Sequence, residues 1–212
     1  QRLAASPMVK PHRGPRPGTR PGAPRLDPRR VAPDSPDDGG AAVVAIGGGT
    51  GLSSALRAIR RYAGCITAVV SVADDGGSSG RLRRDLGVPA PGDLRKCLVA
   101  LAGECGPWSD AFEHRFAAGE LRDHALGNLL LVGLAEALGG DLVAALDEAG
   151  RLLRAVGRVL PATGDPVVLA ATVGGEPVEG QVAIEGAHAP VRDLRVVPSD
   201  PAVPVAVLDP IR

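Results

Sequence analysis

Aromatic residues are nearly missing from this chain: one Trp, one Tyr and two Phe in 212 residues. Its core must therefore be built from Ala, Val, Leu and Ile. Lysine is almost absent as well, Lys10 and Lys96 standing against 22 arginines, a skew that hints at a GC-rich coding sequence and says little about function. The three cysteines, Cys65, Cys97 and Cys105, form no C-x-x-C pair. An odd number of unpaired cysteines without a secretory signal reads as reduced thiols, so a cytoplasmic location is expected. No apolar run is long enough to span a bilayer, which argues for a soluble protein without membrane insertion. The formal net charge is zero. Residues 1–40 carry eight basic and four acidic groups and the rest 16 and 20. Neither part is a polyanion binder by charge alone, so no nucleic-acid partner is expected. The chain does not begin with Met and is read as a fragment or a processed form.

Nine of the 20 prolines lie in residues 1–40. Such a segment cannot bury enough apolar surface to offset its conformational entropy and is expected to be disordered; the alternative is a basic arm that touches nucleic acid or a partner. Order is expected from Ala41. Ala42–Ile46 is a short, continuous apolar run, the pattern of a strand buried on both faces. Glycines around Thr50 end it. A helix is expected over Leu52–Arg61 and a second buried strand over Ile66–Val72, which together form a parallel βαβ unit. Further helices are expected at Asp93–Gly103, Ser109–Ala117, Leu126–Leu138 and Asp141–Arg154, with Ser109 and Asp141 as N-caps. Val167–Val173 and Val178–Glu185, separated by Gly174-Gly175, read as a hairpin, and Val191–Val197 as a third strand. The expected division is residues 1–40, a nucleotide-binding α/β domain over 41–157, and a small antiparallel β-subdomain over 158–212.

Four motifs carry chemistry. Gly47-Gly48-Gly49-Thr50-Gly51-Leu52-Ser53 lies between a strand and a helix, where glycines let backbone amides approach phosphate oxygens at a helix N-terminus. Its glycine spacing is neither G-x-G-x-x-G nor a Walker loop, and the plain alternative is a tight turn without ligand. Asp74-Asp75-Gly76-Gly77-Ser78-Ser79-Gly80-Arg81 lies at the carboxyl end of the second strand, where ligands of open α/β sheets gather. One carboxylate there is expected to meet a ribose, a base or Mg²⁺. The alternative is a flexible solvated loop. In Pro91-Gly92-Asp93-Leu94-Arg95-Lys96-Cys97, Asp93 can cap its helix. Arg95 and Lys96 oppose the helix dipole unless an anion lies nearby. His124-Ala125-Leu126-Gly127-Asn128 offers Asn128 to a base or sugar; His124 is an acid/base candidate or a structural group. Trp108, Phe112 and Phe116 read as a packing stripe, and Cys97 and Cys105 as small buried residues. Arg154 and Arg158 are within conceivable reach of a phosphate but are not assigned to one.

These motifs, in this order, resemble the YvcK/CofD family and in particular its YvcK branch; Gly157-Arg158-Val159-Leu160-Pro161-Ala162-Thr163 fits it too. The resemblance covers roughly residues 42–212 and implies a Rossmann-like α/β sheet with inserted helices and a small antiparallel β-subdomain. It also implies a regulatory protein that binds UDP-sugars such as UDP-N-acetylglucosamine, linked to gluconeogenic growth, cell-wall homeostasis and cell shape. The alternative it implies is a CofD-like 2-phospho-L-lactate transferase that acts on the deazaflavin precursor Fo with Mg²⁺. Carried over, Gly48, Gly49, Thr50, Gly51 and Leu52 would hold the diphosphate. Asp74 would be the polar contact or metal ligand, and Asn128 would meet the nucleotide end. Asp75, Gly77 and Ser78 complete the expected nucleotide site. No catalytic residue is assigned, because no nucleophile, base and orienting partner come together. The Gly-Gly-Ser-Ser continuation after Asp75 departs from the transferase pattern, and Lys96 stands where Asn is expected. The chain is expected to stop before the family's final strand and G-P-G-S turn. An NAD-type dinucleotide binder is a third reading, disfavoured by the off-register glycines. A homo-oligomer is left open.

Overall fold

The computed structural model describes residues 40–104 and 106–209. The segment expected to be disordered therefore lies, but for Gly40, outside the described residues. Strand β1 (Ala41–Gly47) leads through α1 (Gly49–Ile59) into β2 (Ala63–Val70). Five helices follow: α2 (Gly77–Leu86), α3 (Gly92–Leu101), α4 (Pro107–Glu113), α5 (Leu126–Ala137) and α6 (Leu142–Leu152). Then β3 (Arg158–Pro161) returns to the sheet. The sheet is wholly parallel in the order β1-β2-β3. The second layer is antiparallel, in the order β5-β4-β6, from β4 (Val168–Val173), β5 (Glu176–Glu179) and β6 (Val191–Val197). Two short helices, α7 (Gln181–Gly186) and α8 (Val205–Leu208), complete the described chain. This is the α/β architecture expected: a parallel sheet with inserted helices and a small antiparallel layer. Arg158–Pro161, expected in that layer, instead pairs with Thr67–Val70 of β2.

The apolar periodicity explains where the core sits. On α1, Leu52 and Leu56 fall on one face, and both are buried with Ile66, Ala68 and Val70 of β2 in the main cluster. Helix α3 is buried almost all round: Leu94, Cys97, Leu98, Ala100 and Leu101 are each at most 1 % exposed. It joins α1, α4, α5, α6 and the sheet. The Arg60 guanidinium closes its C-terminal end by donating to the carbonyls of Ala100 (3.1 Å) and Gly103 (3.2 Å). Arg158 forms two hydrogen bonds to Asp147, at 2.9 and 2.7 Å, and ties β3 to α6.

Several local expectations change. β1 is not covered on both faces: Val44 is 37 % and Ile46 70 % exposed, because β1 is the edge strand of the described sheet. Only β2, between two neighbours, is buried over five successive residues. Asp141 does cap α6, accepting from the Ala144 N–H at 2.9 Å. Ser109 caps nothing, since α4 begins at Gly106-Pro107, where Pro suits the first helical position. α4 also ends at Glu113, so the aromatic stripe is broken. Phe112 is buried, Trp108 is 52 % exposed, and Phe116 stacks edge-on against His114. The second hairpin strand is short as well. Gly180, at φ 100, stops it, and Gln181–Gly186 coils into α7.

Candidate functional site

At the carboxyl end of β1 the chain turns on glycine. Gly49 has φ 64, a left-handed conformation that only glycine adopts at little cost, and it opens α1. The first-turn amides of a helix lack intrahelical partners. The Gly49 N–H has found one, the Oδ2 of Asp93 at 2.5 Å, 44 residues away on α3. The next two first-turn amides belong to Thr50 and Gly51, both exposed. A Cβ at Gly51 would meet no atom within 4 Å, so internal packing does not explain this glycine. Gly48 is tight instead, its added Cβ falling 3.1 Å from Asp93 Oδ2 and 3.3 Å from Ser71 Cβ. Leu52, expected at the ligand, has its side chain in the core.

The second and third motifs meet this turn through helix N-termini. Gly77-Ser78-Ser79-Gly80 is not a flexible loop but the first turn of α2. A Cβ at Gly80 would collide with the Asp75 carbonyl, and one at Gly92 with Ser79 Oγ. Glycine at 92 therefore lets the starts of α2 and α3 touch, and glycine at 80 lets the Asp75 loop fold back on the first turn of α2. Asp74 lies at that junction: its Oδ1 accepts from the Gly76 N–H at 2.9 Å, and its Oδ2 lies 3.2 Å from where a Gly92 Cβ would be. Asp93, the second residue of α3, is 7 % exposed and bridges the Gly49 amide and Lys96 Nζ, the latter 2.9 Å from Oδ1.

Three expected ligand contacts are drawn elsewhere. Ser78 is 2 % and Asn128 1 % exposed. The Asn128 carboxamide is used at both ends, accepting from Arg95 Nε at 3.1 Å and donating to Ser78 Oγ at 3.0 Å. Ser78 Oγ also accepts from the Ala125 N–H at 3.3 Å, which fills its two lone pairs. Its own proton then goes to His124 Nδ1, 3.1 Å away. These groups support the N-terminus of α2 from behind. Arg95 completes the network by donating to the Phe112 carbonyl at 3.1 Å and pairing with Glu113. Burial lowers its pKa from the ordinary value. Burial, helped by the Arg81 guanidinium, likewise lowers that of His124. Asp75 is the third: its Oδ1 accepts the Val182 N–H of α7 at 3.0 Å, and the residue lines a cleft of about 460 Å³ with Arg83, Arg84 and Glu179. Gly77 stays exposed at the start of α2. Burial pushes the Cys97 thiol up to about 12, which makes it inert.

Among the described residues no cluster of three or more His, Cys, Asp or Glu side chains stands ready for a metal ion. No described helix is long and apolar enough to cross a membrane. The site residue that sequence reasoning missed is Asp93, taken only as a helix cap. The signal was its place one residue after Gly92, where α3 starts, but nothing local says that this start lies against the glycine turn.

A parallel α/β sheet with a glycine turn where its edge strand meets α1, and helix N-termini gathered there, defines the class. The chain belongs to the CofD family: the family model described as 2-phospho-L-lactate transferase CofD matches residues 43–212. A Bacillus subtilis protein named gluconeogenesis factor is 41 % identical over 163 residues, covering 76 % of this chain and 45 % of its own length. A Mycobacterium leprae protein, provisionally named a gluconeogenesis factor, is 46 % identical over 193 residues, with 85 % and 52 % covered. The crystal structure of a Bacillus halodurans protein superposes with a TM-score of 0.76 at 41 % identity, covering 81 % of this chain and 56 % of that one. The chain thus spans about half the length of the curated relatives it matches.

Proposed function

We propose that this chain carries the diphosphate-binding half of a nucleotide-sugar site, and that the whole protein is a regulatory gluconeogenesis factor of the YvcK kind that binds a UDP-sugar such as UDP-N-acetylglucosamine in the cytoplasm. One observation carries the reading: the open space over Gly51 at the N-terminus of α1, beside exposed first-turn amides and with no internal reason for glycine. Gly49, Thr50 and Gly51 offer the amides, and Gly48 lets the backbone lie close to Asp93 and Ser71. Asp74 lies at the neighbouring contact of α2 with α3, and Gly77 opens α2. Ser78 and Asn128 hold α2 in place from inside the protein. Links to cell-wall homeostasis and cell shape belong to this reading of the whole protein.

The test is Gly51→Leu in the full-length protein, followed by isothermal titration with UDP-N-acetylglucosamine. The substitution has room to fold and favours helix by up to about 1 kcal/mol, so stability is maintained or rises slightly. Affinity is expected to fall at least about tenfold, because the side chain fills the space of the phosphate. Unchanged affinity would remove this reading.

A second reading follows because the matching family model is that of a transferase and because two carboxylates flank the start of α3, Asp74 against Gly92 and Asp93 against the glycine turn. Mg²⁺ is commonly held by one or two carboxylates plus ligand phosphates, and this donor set fits that habit. There Mg²⁺ would neutralise phosphoryl charge, with Asp74 and Asp93 holding it. It requires Mg²⁺-dependent transfer of a phospholactyl group to Fo, lost in Asp74→Asn. Turnover that survives the substitution would exclude it.

A further inference from the structure

The Asp93 carboxylate stands where an anionic ligand would be received. It accepts the Gly49 N–H, is nine-tenths buried, and its other oxygen holds Lys96 Nζ. A carboxylate and a phosphate ask for the same thing at a helix N-terminus: N–H donors and the positive end of the helix dipole. Lys96 is the described cation paired with that carboxylate, and its side chain remains 29 % exposed, so it can reach a group arriving from solvent. The positive charge of Lys96, the fifth residue of α3, is unfavourable toward its own helix dipole, and Asp93 compensates it.

We propose that Asp93 is a built-in occupant of the phosphate cradle and that Lys96 is the cation an incoming phosphate takes over. Binding is then an exchange: the phosphate displaces the carboxylate from the Gly49 amide, and Lys96 passes from carboxylate to phosphate. No bond is made or broken covalently, and no metal takes part. The proposal rests on the diphosphate reading above and adds to it a self-competition that sets the affinity and a residue, Lys96, that contributes to it.

The consequence is of opposite sign for two neighbours. Removing the competitor raises the population of open cradle, so Asp93→Asn and Asp93→Ala tighten binding by about tenfold, the equivalent of one charge-assisted hydrogen bond. Lys96→Gln weakens it by a similar factor. The measurement is titration of the full-length protein and each variant with UDP and with inorganic pyrophosphate, in EDTA, with thermal unfolding alongside. Expected are tighter binding in both Asp93 variants, weaker binding in Lys96→Gln, and a larger rise in melting temperature with pyrophosphate in Asp93→Ala than in the unaltered protein. Weaker binding in Asp93→Asn, whether or not added Mg²⁺ strengthens binding by the unaltered protein, would overturn the proposal and make Asp93 a ligand-side group. Equal affinity in all variants would overturn it too. If the unaltered protein and every variant, each still folding cooperatively, bind neither probe, the diphosphate reading itself fails; if the unaltered protein binds and only the ordering of variants is wrong, the exchange alone fails.

Discussion

Gly80 and Asn128 show how single residues set this site from a distance. Gly80 leaves no room for a Cβ against the Asp75 carbonyl. Gly80→Ala must push α2 off its start, and the expected cost is about 1–3 kcal/mol, read as a lower urea midpoint. Asn128→Ala removes the acceptor of Arg95 Nε and the donor to Ser78 Oγ inside the core. One buried N–H of Arg95 left without its acceptor, together with the lost Ser78 bond, makes about 2–3 kcal/mol the expected loss, checked by the same unfolding curve. Weakened nucleotide binding without a stability change would instead place Asn128 at the ligand. The sequence announced Gly49 and Gly51 because a glycine requirement is local to the backbone. It did not announce Asp93 as the partner of Gly49, since a hydrogen bond across 44 residues depends on where α3 starts in space.

Elements here begin and end on contacts from elsewhere in the chain. α7 has no side-chain cap of its own, Gly180 being its N-cap, and the Asp75 carboxylate accepts the Val182 N–H instead. This is why a stretch with strand-like composition coils. Asp75→Ala should cost about 1 kcal/mol and speed amide exchange across Gln181–Gly186, with the parallel sheet unaffected. Exchange unchanged in that segment would show that α7 holds by itself. In contrast, α6 began where its own Asp141 said it would, because an N-cap three residues from its donor is a local matter. α4 stopped short at Glu113 despite an aromatic spacing that invited a longer helix. There the chain turns back, and the Leu126 N–H donates to the His114 carbonyl.

For the whole molecule, pH is the variable that reaches the core. His124 lies within the Ser78–Asn128 network, where the Ser78 proton points at Nδ1 and burial disfavours the imidazolium. Its folded pKa is therefore below the ordinary 6.5. Above pH 6.5 both folded and unfolded forms are neutral at this residue, and stability does not depend on it. As pH falls below about 6.5 the unfolded chain binds a proton that the folded one refuses, so stability declines until the folded value is passed. Urea midpoints at pH 7.5 and 5.5 should differ more in the unaltered protein than in His124→Gln. Equal differences would mean that His124 does not carry this sensitivity.

What the amino-acid order settled unaided is everything governed by a few neighbouring residues: the parallel βαβ start, the glycine-rich turn before α1, the Asp141 cap, the change from helices to an antiparallel layer. Backbone permissiveness and apolar spacing act over one or two turns, and these can be read in line. The tertiary structure alone decided which carboxylate lies on the glycine turn, which polar groups are sealed behind α2, and that β1 shows Val44 and Ile46 to solvent while β2 is buried from Ile66 to Val70. Those outcomes depend on which helix ends meet and which strand has two neighbours, and burial and charge pairing act through space rather than along the chain.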